Sequence, residues 1–164
     1  MKAKYPLEQV LAVKHDRVEK AERLVEEKKR ALQIEMDKLK KVEEEHNKVK
    51  THHDDKLTQL RFALDTGTTS DEVLQMKAYL KVVKEKLAKE EVKLKAQQEQ
   101  VRIAERNLNE AKLDLKKKRL EEEKIALHKE HWLKEARKEE DQKEALEQDE
   151  IGQLLYEAEK RKRE

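Results

Sequence analysis

Cysteine is absent from this chain, which excludes a disulfide scaffold and suits a reducing compartment such as the cytosol. Aromatic residues make up only 3%, too few to fill a sizeable compact core. Proline occurs once, at Pro6, and glycine twice, at Gly67 and Gly152. Long stretches therefore carry no helix breaker. No apolar run exceeds four residues, as in VLAV at 10–13, far short of the ~18 that a membrane span needs. The opening MKAKYPLEQ has charge but no hydrophobic segment behind it, so no secretory signal is expected. An excess of one charge is missing too. Forty basic residues against 38 acidic ones leave +2, which lacks the electrostatic footprint of nucleic-acid binding. These absences predict a cytoplasmic protein with no nucleic-acid partner and no direct membrane insertion.

What the chain does have is charge, at 48% of residues. A coiled coil tolerates that composition, because it needs only a narrow apolar seam. One seam runs through Leu7, Leu11, Lys14, Val18, Ala21, Val25, Lys28, Leu32, Glu35, Leu39, Val42, His46, Val49, His53, Lys56, Leu60 and Ala63, in alternating steps of four and three. A second runs through Val73, Met76, Leu80, Val83, Leu87, Glu90, Leu94, Gln97, Val101, Ala104, Leu108, Ala111 and Leu115, then more weakly through Lys118, Glu122, Ile125, Lys129, Trp132 and Ala136. Paired antiparallel, the layers share one register. Leu60 faces Met76, Val42 faces Leu94, Val25 faces Ala111 and Leu11 faces Ile125, each pair of numbers adding to 136. The same rule pairs Lys14 with Glu122 and His46 with Glu90.

The predicted fold is all-α: a long two-helix antiparallel coiled-coil hairpin with an overhanging C-terminal segment. It is a single elongated domain, 1–164, monomeric when free. Helix 1 is expected over 5–64, a turn over 65–71, helix 2 over 72–145 and a tail over 146–164, with helix and disorder both open for the tail. In the turn, Gly67 can take positive φ, and Thr69 with Glu72 three residues later reads as a capping box. A phosphate-binding loop is excluded, since DTGTTSDEV lacks the Lys-Ser/Thr ending and a preceding strand.

No catalytic constellation emerges, and no cofactor or metal is expected. His128 and His131 have ligand-like spacing but no third partner nearby. What remains is surface. Leu113, Leu120 and Leu127 recur every seven residues on the outer side of helix 2. They form a candidate docking stripe, with scattered exposed leucine as the plainer reading. Phe62 points outward near the tip and Tyr79 flanks the seam a few turns away, as candidate anchors.

Four stretches carry a resemblance: YPLEQVLAVKHDRVEKAE, LDTGTTSDEVLQMKAYLKVV, EEEKIALHKEHWLKEA and EQDEIGQLLY. They resemble the YscO-like proteins of bacterial type III secretion systems, which are similar in architecture to the flagellar export protein FliJ. The resemblance implies a non-enzymatic component. Its open end meets the ring of the secretion ATPase, its loop-proximal half reaches toward the export gate protein, and some members escort secretion chaperones. By location, Leu113, Leu120, Leu127 and Trp132 would then face the ATPase, and Phe62, Met76 and Tyr79 the gate. The alternative from a different class is a homo-oligomeric structural scaffold with no export role.

Overall fold

The computed structural model describes residues 4–163. Two helices account for nearly all of them, α1 (Glu8–Thr66) and α2 (Ser70–Arg163), packed as an antiparallel hairpin. Among the described residues there is no strand.

The connection is only 67–69, narrower than the expected turn, because both helix ends are satisfied locally. The Gly67 amide still donates to the Ala63 carbonyl (3.1 Å), while its φ of 85° turns the chain out of α1. A left-handed residue just past a helix end is favourable for glycine and costly for others. Thr66 Oγ1 donates to the Phe62 carbonyl at 2.8 Å. Thr69 caps α2 by accepting from the Glu72 amide at 3.4 Å. The reciprocal half of the capping box is not made, since the Glu72 carboxylate takes the Thr68 hydroxyl instead.

Packing divides into two units: a loop unit, Arg23–Leu113, and a terminal unit, residues 4–22 with 114–163. The loop unit buries Val25, Val49, Leu60, Val83, Val101, Leu108 and Ala111. In the terminal unit Tyr5, Val18, Ala21 and Leu115 are buried. All of these except Tyr5 are seam residues. Every seam position from Leu11 to Ala136 is buried or half-buried, polar ones included, whereas Leu7 stays at the exposed limit. That pattern is what an antiparallel 4–3 register requires. Among the described residues no side chain is completely enclosed, as expected where two helices share one narrow interface.

The polar interruptions depart from the simple register rule. Lys14 reaches Glu121 (3.1 Å) rather than Glu122, and Glu122 is taken by His15 (2.8 Å). His46 does not meet Glu90, which binds Lys93 at 3.1 Å; the nearest carboxylate to His46 is Glu91, at 3.9 Å. Charged heads leave the seam for its wetter flanks while their stems stay inside, so the partner lies beside the facing layer. His46 is left with a buried Nε2 that has no hydrogen bond. Glu35 and Gln97 meet instead: the Gln97 amide donates to Glu35 Oε2 (2.7 Å) and to the Glu35 backbone carbonyl (3.0 Å).

The expected tail is helical throughout its described length, to Arg163, with every residue of 137–163 exposed. Residue 164 lies outside the described residues.

Candidate functional site

Near the connection, the loop unit carries an exposed apolar group. Phe62 is 68% exposed, and Leu64, Leu74 and Val82 are also open. Tyr79 is half-exposed but held: its hydroxyl lies 2.8 Å from His52 Nε2, the two rings meet edge-on at 5.8 Å, and Lys56 Nζ stands 5.5 Å from the ring centroid. This geometry fixes Tyr79 against α1 and leaves Phe62 outward. Met76 is a half-buried seam residue. Of the three candidates at this end, Phe62 and Tyr79 therefore offer surface, and Met76 offers support.

In the terminal unit, Leu120 and Leu127 are about half exposed, while Leu113 in the loop unit is more open still. Trp132 does not join them. It turns into the hairpin, half-buried, with the Tyr5 ring edge-on at 5.6 Å. The Tyr5 hydroxyl lies 2.6 Å from His128 Nδ1. This occupies one of the two histidines with ligand-like spacing. Among the described residues no group of three or more His, Cys, Asp or Glu gathers to hold a metal.

Tyr5 is the residue that sequence reasoning missed. It precedes α1, outside any heptad, and its carbonyl receives the Glu8 amide at 3.3 Å as the chain turns through Pro6. A signal was present, however. Extending the register rule back to residue 5 points at 131, one position from the chain's single tryptophan.

From this aromatic contact a row of cross-helix ion pairs runs along the terminal unit. Lys129 binds Glu8 (2.8 Å), Lys14 binds Glu121, His15 binds Glu122, and Arg119 binds Glu22 (3.1 Å). The Glu122 hydrogen bond and charge raise the His15 pKa above its ordinary value. The Lys14 hydrogen bond lowers that of Glu121, and the Lys134 hydrogen bond lowers that of Glu130. In the loop unit, the Gln97 hydrogen bond lowers Glu35. Most of these groups tie α1 to α2, and Glu35 also borders a shallow groove lined by Lys28, Gln100 and Asn107.

Comparison with known proteins agrees with the architecture. The family model described as YscO-like protein matches residues 2–162. A Chlamydia trachomatis protein, CT670, whose structure was solved as that of a YscO homolog, is 52% identical. The alignment covers 97% of this chain and 98% of that one, with a TM-score of 0.92. A chain from the Chlamydia pneumoniae CdsV and CdsO protein complex is 50% identical over 51% of this chain and 98% of its own, with a TM-score of 0.50. No curated protein matches.

Proposed function

This chain belongs to the YscO-like family, and from that premise we propose that it is a non-enzymatic, cytoplasmic component of a bacterial type III secretion system. It acts as a stalk and adaptor between the secretion ATPase and the export gate, and it escorts secretion chaperones. The observation that carries this reading is the family match along nearly the whole hairpin. Supporting it are two separate exposed apolar groups, Phe62 with Tyr79 and Leu120 with Leu127. Exposed apolar groups of this kind mark protein–protein contact sites. The similar chain from the CdsV and CdsO complex supports a role in protein assembly.

In this role the terminal unit engages the ATPase, and the tip residues meet the gate. In this reading the protein works as an intrachain hairpin, monomeric when free. Cysteines at Leu60→Cys and Met76→Cys are expected to crosslink within one chain; crosslinks only between chains would sink the hairpin and favour a scaffold. The functional test mixes the protein with its cognate ATPase and follows hexamer assembly and ATP hydrolysis. Stimulation of either supports the stalk, whereas no effect and no binding removes it.

A further inference from the structure

The tail carries an apolar face that does not continue the hairpin seam. Continuing the seam beyond Ala136 in steps of three and four gives Glu139, Lys143, Leu146, Glu150, Gln153 and Glu157, with one apolar residue among them. The apolar residues lie elsewhere. Ile151, Leu154, Leu155 and Ala158 occupy i, i+3, i+4 and i+7 of α2, one stripe on the helix. It is offset from the seam phase by one residue, or ~100° of rotation at 3.6 residues per turn. Ile151, Leu154 and Leu155 are each more than half exposed. A helical segment with this spacing is a docking element.

Charge identifies what fits it. Residues 139–150, before the stripe, hold seven acids and one lysine, whereas 160–163, after it, hold four bases and no acid. A segment acidic at one end and basic at the other is complementary to its own reverse. We propose that the tail is a homotypic interaction site, pairing antiparallel with the tail of a second copy of this chain.

The register follows from layering the stripe on itself. Ile151 of each copy stacks on Leu154 of the other, Glu147 lies against Ala158, and Glu144 meets Arg161. Asp141 falls beside Lys162 on the flank. A parallel arrangement would instead set Glu144 against Glu144 and Arg161 against Arg161, so electrostatics selects the antiparallel form. The association is weak. Few apolar side chains are buried per copy, a small interface by the standards of stable complexes, and Glu150 faces Glu157 as a like-charge pair. It forms at high protein concentration, as when many copies gather at one assembly, and it covers the tail of each copy. The inference is independent of the secretion role.

The test uses the full chain. Sedimentation velocity over a wide concentration range is expected to show a monomer giving way to a dimer, weakened several-fold by added salt. The double change Ile151→Gln with Leu154→Gln should lower dimerisation by roughly tenfold or more without loss of helicity. Arg161→Glu should weaken it, and adding Glu144→Arg to that chain should restore it. Because the protein has no cysteine, mixing Glu144→Cys with Arg161→Cys chains reads orientation directly. Disulfides between the two types support the antiparallel pair. Disulfides within each type, a dimer unaffected by the tail changes, or a monomer at every concentration would overturn the proposal.

Discussion

The two glycines have opposite consequences, although both are exposed and neither would clash with an added Cβ. Gly67 has φ of 85°, so Gly67→Ala strains the backbone and should destabilise the hairpin by about 1 kcal/mol. Gly152 lies inside α2 with ordinary helical dihedrals. Gly152→Ala should stabilise the tail helix by up to ~1 kcal/mol. Amide exchange across residues 148–156 measures the second, and the thermal midpoint measures the first. Tyr5 separates packing from hydrogen bonding. Tyr5→Phe keeps the edge-on contact with Trp132 but removes the bond to His128, a cost of about 1 kcal/mol. Tyr5→Ala also loses a side chain that is only 5% exposed and should cost ~3 kcal/mol. Trp132, the single tryptophan, reports both losses by fluorescence. Equal effects of the two changes would mean that the ring contributes nothing.

At the scale of the helices, acid and base act on different pairs in the terminal unit. His15 has a folded pKa raised above 6.5. Its ion pair with Glu122 therefore contributes fully below 6.5 and fades as pH rises through the folded value. Glu121 has a pKa lowered below 4.5, so its pair with Lys14 contributes fully above 4.5 and is lost as pH falls through the lowered value. The terminal unit should be tightest between those limits. Amide exchange near the start of α1 should quicken modestly on either side, and His15→Gln should abolish only the alkaline change. An unchanged alkaline limb in that variant would assign it to another group. The seam was legible in the sequence because burial of apolar side chains follows backbone periodicity, as Val18, Val25 and Leu108 show. The ionic partners were less so. Lys14 and His46 have long or branched polar side chains that choose between neighbouring layers, and the backbone period does not decide which one. Nor does periodicity reach Tyr5, which lies outside the helix, so the aromatic partner of the seam residue Trp132 stayed out of sight.

For the molecule as a whole, the expectation is separable binding. Changing Leu113, Leu120 and Leu127 together to Gln should weaken ATPase binding roughly tenfold, the usual scale for losing apolar interface anchors, with helicity unchanged. Phe62→Ala should leave that binding intact and weaken contact with the export gate. Pull-downs with each purified partner check both, and loss of both partners in one variant would signal misfolding rather than a lost face. Exposure of Leu120 and Phe62 was legible in the sequence, because it follows from register; the partner that each face takes is not set by periodicity.

The Gln97–Glu35 contact bears on how such a hairpin resists sliding. A seam that repeats every seven residues offers near-equivalent alternatives if one helix slips along the other by one repeat. Gln97 holds both the carboxylate and the backbone carbonyl of Glu35, and no shifted alignment presents that combination again. The three-residue connection forbids the same slip from the other side. Together they work like a pawl, so a push delivered along one helix reaches the other as translation of the pair instead of being absorbed as shear.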